Sequence, residues 1–237
     1  MMAEFSGRKF CDNCGNLMIP EQTPEGIVFK CRYCKKEVLV TEEGERVIRP
    51  PLTVPNHHSE TLWVNGHGVP FYYMGYYMPK SRGYQDEFSQ RVLEFKQGYP
   101  FIVSKFAEDV VNLIKFRELE PDIIVPIPGS SAGKIGQGHR QLVDYVSQTL
   151  GIQNGTGVLV RKISVPSAHL AGSLEERPKE ALHNFSISCT GDIHDLRVLL
   201  FDDILTTGAT ANACIKKLFR CGASEVYLIT LAKTRMG

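Results

Sequence analysis

Two adjacent carboxylates, Asp202 and Asp203, follow the apolar run Val198-Leu-Leu-Phe201, and the chain then passes through Ile204 and Leu205 into Thr206, Thr207, Gly208, Ala209 and Thr210. Four apolar residues in a row read as a buried strand that delivers the carboxylates to its carboxyl end. Residues 206–210 lead from that strand into a helix start, where backbone N–H groups assisted by threonine hydroxyls form a cradle for a phosphate monoester. Gly208 removes a side chain where the backbone must approach the anion closely. A phosphate repels neighbouring carboxylates, so the natural partners of Asp202 and Asp203 are ribose hydroxyls or a magnesium shell around them. A phosphosugar is the ligand this combination implies.

A second kind of chemistry stands at the N-terminus. Cys11-Asp-Asn-Cys14 and Cys31-Arg-Tyr-Cys34 are two close pairs separated by 16 residues. Four thiolates carried on two such turns close a tetrahedral zinc site, and iron is also chemically allowed. With all four positions filled by protein the metal is structural, supplying folding energy that a segment of about 40 residues does not obtain from burial. Lys and Arg around the pairs are offset by Asp and Glu, which leaves both a docking role and a nucleic-acid role open for this module.

The elements that must position these residues follow from periodicity. Residues 1–40 read as short turns around the cysteines, and the polar, proline-bearing stretch 41–60 reads as a connector. From Thr61 to Met78 the aromatic run predicts one or two strands, and Tyr84 to Gln97 a short helix. Ser104 is placed to cap a helix ending near Glu118. A strand at 122–127, a helix at about 136–149 and a strand at 157–160 come next, and 161–184 shows no sustained period and reads as a long loop. The strand before Asp202, a helix from Ala209 to Arg220 and a strand from Glu225 to Leu231 complete a strand, helix, strand unit. This implies α/β architecture, a mostly parallel sheet flanked by helices with crevices at the carboxyl ends of its strands.

Composition narrows the class. A hydrophobic fraction of 43% supports a sizeable core, no stretch approaches the roughly 20 apolar residues of a membrane span, and no apolar block marks a secretory signal near Met1. The reading is a chain with no membrane span in a cytoplasmic setting. Lys plus Arg is 27 against 26 for Asp plus Glu, so the chain as a whole has no strong field for a polyanion, and any nucleic-acid binding has to be local.

The thirteen residues from Val198 to Thr210 resemble the ribose-phosphate signature of type I phosphoribosyltransferases. With the N-terminal cysteine ribbon, the chain resembles the ComF-type competence and amidophosphoribosyltransferase-like family, sharply at residues 11–34 and 198–210. The resemblance implies that Asp202 and Asp203 contact the ribose hydroxyls of 5-phosphoribosyl 1-diphosphate, directly or through magnesium, and that residues 206–210 bind the 5-phosphate. It also implies a diphosphate loop after the first core strand, here Pro126-Ile-Pro-Gly-Ser-Ser131. Gly129, Ser130 and Ser131 suit an anion nest on physical grounds as well, with Lys134 near in sequence to help neutralise the charge. In the family's flexible region, Arg161, Lys162 and Arg177 are then candidates to hold the diphosphate leaving group. The chain departs from the family's Arg-Gly-Phe-Asn-Gln stretch, having Gly136-Gln-Gly-His-Arg-Gln141 after the diphosphate loop, and the lysine expected in the helix before the core is displaced, with Glu94 and Lys96 around Phe95.

Two functions follow as expectations. One is a phosphoribosyltransferase that passes phosphoribosyl to an acceptor; the other keeps the ligand without turnover, as a phosphosugar- or nucleotide-sensing module. In that second account the zinc ribbon contacts single-stranded DNA or a DNA-uptake partner, following the family's association with DNA uptake. A homodimer is a third partner arrangement that this reading admits.

Overall fold

The computed structural model describes residues 9–12, 17–32, 35–49, 57–79, 86–163 and 186–234. The chain divides into two compact units, Met1–Pro55 with Asn112–Leu119, and Asn56–Val111 with Glu120–Gly237. Among the described residues, no helix is long and apolar enough to cross a membrane.

The first unit holds four strands, β1 (Met18–Thr23), β2 (Gly26–Cys31), β3 (Glu37–Thr41) and β4 (Gly44–Arg49), in a consecutive antiparallel sheet. One face gathers Met18, Phe29 and Val38 around Cys11 and Cys31, all buried. The expectation of short turns is corrected here to a four-stranded sheet. Each strand has only five or six residues, too few for a two-residue alternation to stand out, and the apolar face exists only once the hairpins pair. The sheet also extends through β4, inside the stretch read as a connector.

The second unit is an α/β fold. Its six-stranded sheet has the order β5-β6-β12-β11-β7-β8, formed by β5 (His58–Val64), β6 (His67–Tyr77), β7 (Ile123–Pro126), β8 (Gln153–Asn154), β11 (Arg197–Leu205) and β12 (Glu225–Thr234). The β5–β6 hairpin is antiparallel and every other neighbouring pair is parallel. The long apolar runs of β11 and β12 are what a strand covered on both faces requires. A separate antiparallel pair, β9 (Leu159–Arg161) with β10 (Ile187–Cys189), sets Arg161 opposite Ile187.

Helices cover the sheet. Helix α4 (Ala209–Arg220) packs Ala211, Cys214, Ile215 and Leu218 against Val125, Val198, Leu200 and Leu228. Alternate strand residues face the other helices: the Phe201 ring meets Phe95 of α1 (Glu87–Gln97), which in turn meets Phe106 of α2 (Pro100–Phe116). Asp86 caps α1 by accepting from Ser89 N at 2.7 Å, and Gly98 in the left-handed region ends it. Helix α2 starts at Pro100, earlier than the Ser104 cap read from the sequence, because proline's fixed φ suits a first helical turn. The Ser104 hydroxyl instead donates to the Phe101 carbonyl at 3.0 Å. The third helix, α3 (Gln137–Leu150), buries His139, Leu142, Val143 and Val146 at helical spacing.

Candidate functional site

Strand β11 lies between β12 and β7, with Phe201 in register with Pro126 and Asp202 with Thr230. The two loops read as anion cradles therefore leave the carboxyl ends of neighbouring parallel strands, where open α/β sheets form their ligand crevice. At the end of β11 the chain turns through exposed Thr206 and Thr207 to Gly208, whose φ of 78° is left-handed. Gly208 caps α4 without a side-chain hydrogen bond. Ala209 N reaches the Thr207 hydroxyl only at 3.4 Å, and Thr210 lies in the first turn. A helix start lacking a strong side-chain cap offers its N–H groups and its positive dipole end to an anion.

Asp202 and Asp203 are both largely enclosed, with side chains 19% and 11% exposed. His139 Nε2 lies 3.2 Å from Asp202 Oδ1 and 3.9 Å from Asp203 Oδ2, and Lys96 Nζ lies 3.4 Å from Asp203 Oδ2. Asp202 Oδ1 also accepts from Asp203 N at 2.9 Å. Burial pushes the Asp202 carboxyl above the ordinary carboxylate range, His139 pulls it down, and the neighbouring Asp203 charge pushes it up again. For His139 burial works downward, but the hydrogen bond to Asp202 and the two carboxylate charges outweigh it, and the imidazole is raised. Two carboxylates, one imidazole and one ammonium thus share a small polar cluster at the sheet's carboxyl edge. His139, Asp202 and Asp203 bring one ligand atom each to within 4.8 Å of one another.

His139 and Lys96 lie inside the two stretches that depart from the family pattern, and the sequence reading did not place them at the site. A signal for His139 was present: it falls on the buried stripe of α3 with Leu142, Val143 and Val146, where a polar residue needs a partner.

Residues 129–134 form a tight loop in which Gly129 N donates to Lys134 O at 3.0 Å and Lys134 N to Ser131 O at 3.3 Å. Ser130, Ser131 and the Lys134 side chain are exposed. Arg161 is 2% exposed and stands behind this loop: its Nε donates to Gly129 O at 2.5 Å, its Nη1 to Ser186 Oγ at 2.6 Å, and its carbonyl accepts from Gly133 N at 3.0 Å. The guanidinium read as a diphosphate ligand is turned inward, because the loop carbonyl offers a buried acceptor that only a long donor reaches. Lys162 is exposed, and its N donates to Ser186 O at 2.7 Å. Arg177 lies outside the described residues.

Of the four cysteines, Cys11 and Cys31 are buried in the first unit, and Cys14 and Cys34 lie outside the described residues. The Cys31 carbonyl accepts from Lys35 N at 3.0 Å, and Cys31 N donates to Lys36 O at 2.8 Å. Lys36 Nζ pairs with Asp12 at 2.6 Å.

Comparison with known proteins bears on both units. A zinc-ribbon family model described as "RNA polymerases M/15 Kd subunit" matches residues 9–38. The chain is 27% identical over 117 residues to competence protein F of Haemophilus influenzae, a match covering 48% of this chain and 51% of that protein. It is 21% identical over 133 residues to uracil phosphoribosyltransferase of Streptomyces avermitilis, covering 54% of this chain and 62% of that protein. The chain thus spans between half and two thirds of the length of these curated relatives, and the likeness links it to phosphoribosyltransferase- and competence-related sequences. A crystal structure of purine phosphoribosyltransferase from Pyrococcus horikoshii is 22% identical and covers 69% of this chain and 82% of its own, with a TM-score of 0.34. At that score the superposition carries no weight, and the α/β assignment rests on the sheet order itself.

Proposed function

We propose that the α/β unit binds 5-phosphoribosyl 1-diphosphate with magnesium and transfers the phosphoribosyl group to an acceptor, as a phosphoribosyltransferase. The observation that carries this reading is the pairing of β11 with β7, which sets the carboxylate pair and α4 start beside the glycine-serine loop. In this reading residues 206–210 hold the 5-phosphate, Asp202 and Asp203 hold the ribose hydroxyls, and Gly129, Ser130, Ser131 and Lys134 receive the diphosphate.

Asp202 and Asp203 fit a magnesium ion in donor chemistry, since hard cations take carboxylate oxygens; the ion neutralises diphosphate charge when bound. In the transfer step the acceptor's lone pair forms a bond to C1 while the C1–O bond breaks, and the diphosphate leaves with that electron pair. Charge then develops on the leaving group, where in this reading the exposed Ser130, Ser131 and Lys134 side chains offset it. A structural zinc held by Cys11, Cys14, Cys31 and Cys34 belongs to the same proposal, and the buried pair Cys11 and Cys31 supports it.

The test is incubation with magnesium and 5-phosphoribosyl 1-diphosphate against a library of nucleobases, amines and nucleic acids, read by mass spectrometry. Diphosphate released in step with a phosphoribosylated product is expected. Binding without release would replace the enzyme by a phosphosugar-sensing module, and absence of binding would overturn the reading.

A further inference from the structure

We infer that His139 is a positioning residue for the ribose-binding carboxylate Asp202, an assignment that rests on the proposed phosphosugar site. The His139 ring is 7% exposed and lies among aromatic rings, its centroid 5.6 Å from that of Phe95 and 5.5 Å from that of Phe201. This packing leaves the imidazole one direction for polar contact, toward Asp202 Oδ1 at 3.2 Å.

The donor can be assigned. Among the described residues, Nδ1 is buried and meets no hydrogen-bond partner. A hydrogen on Nδ1 alone would leave an orphan donor there and turn the Nε2 lone pair on two carboxylates. Nε2 therefore carries a hydrogen and donates to Asp202, whether the ring is neutral or charged.

Asp202 Oδ1 then accepts from two donors, His139 Nε2 and Asp203 N at 2.9 Å. Those bonds fix the rotation of the carboxylate and reserve Oδ2 for a ligand hydroxyl. A carboxylate locked before the sugar arrives loses less freedom on binding and discriminates better between sugars that have and lack the hydroxyl it faces.

The start of α3 is built around this ring. A Cβ at Gly136 would stand 2.9 Å from His139 Nδ1, and one at Gly138 would stand 2.0 Å from the Phe95 carbonyl oxygen. Gly138 thus lets α3 begin close to α1, and Gly136 leaves room for the imidazole itself. A histidine present only to fill space would not need its polar edge directed at Asp202.

The experiment measures affinity for ribose 5-phosphate and for its 2-deoxy and 3-deoxy analogues in the full chain. The parent is expected to prefer ribose 5-phosphate over at least one analogue by about tenfold. His139→Phe, which keeps a ring between Phe95 and Phe201, should lose that preference by binding ribose 5-phosphate more weakly while its affinity for that analogue holds within about twofold. His139→Gln, whose amide can reach Asp202, should recover most of the preference. His139→Asn, the same amide on a shorter stem, should not, and this pair carries the test where His139→Phe does not fold. An unchanged preference in His139→Phe, or an equal loss for all three sugars, would overturn the assignment. A parent that binds none of them would overturn the phosphosugar site itself, and that result appears before any variant is made.

Discussion

Arg197 grips Asp122 with two arms of its guanidinium, Nη2 at 2.9 Å from Oδ1 and Nε at 3.1 Å from Oδ2, while its backbone N donates to Oδ2 at 2.8 Å. The pair ties the amino ends of neighbouring strands β7 and β11, whose other ends carry the candidate site. The Arg197 side chain first, and its backbone N–H second, hold the Asp122 carboxyl down at about 2. A carboxyl depressed on folding contributes stability that is present above its unfolded value, about 3.9, and is lost as pH falls toward its folded value. Asp122→Asn should therefore melt lower than the parent at neutral pH, by about 1–3 °C for a pair this exposed. The gap should close between about pH 4 and 2. Thermal unfolding across that range is the check, and parallel curves would dismiss the linkage.

Gly138 allows α3 to approach α1. With the Phe95 carbonyl 2.0 Å from the position of any Cβ, Gly138→Ala must displace backbone rather than a side chain. Such overpacking costs about 3 kcal/mol, which for a chain of this size corresponds to roughly 6–12 °C in Tm. An unaltered melting temperature would mean that α3 shifts freely and that the close approach is not required.

Arg161 distinguishes support from direct contact. Arg161→Met removes the donors to Gly129 O and Ser186 Oγ, leaving buried acceptors at a cost of about 1–3 kcal/mol. Stability and affinity for inorganic diphosphate should fall together, because the loop at 129–134 loses its backing. Calorimetric titration beside thermal unfolding separates the cases. A variant as stable as the parent that binds diphosphate more weakly would return Arg161 to the role of ligand.

One zinc ion per chain is expected on Cys11, Cys14, Cys31 and Cys34, measured by elemental analysis of the purified protein. Cys31→Ser should release it and expose the first unit to limited proteolysis while the α/β unit resists. The reason expected is that so small a hydrophobic face gains its folding energy from the metal. Full-length protein containing neither zinc nor iron would refute the site.

What the sequence determined by itself is the part of the molecule written in contiguous residues. The apolar run of β11, the two carboxylates at its end and the turn through Gly208 into α4 follow one another within thirteen positions, so strand period, turn chemistry and helix start can be read together. The same holds for the existence of α1, read over Tyr84 to Gln97 and found at Glu87–Gln97, and for the mostly parallel character of the sheet. The short strands of the first unit were not legible, because each gains its buried face only from a neighbour.

The tertiary structure alone decided the company those carboxylates keep. His139 is 63 residues from Asp202 in the chain, and Lys96 comes from a third element; they converge because α1 and α3 pack on one face of β11. The inward turn of Arg161 depends likewise on a carbonyl 32 residues away that burial leaves in need of a donor. Charge and spacing mark a residue as able to bind an anion. Whether it faces the ligand or the protein is set by which buried groups lie within its reach once the layers have packed.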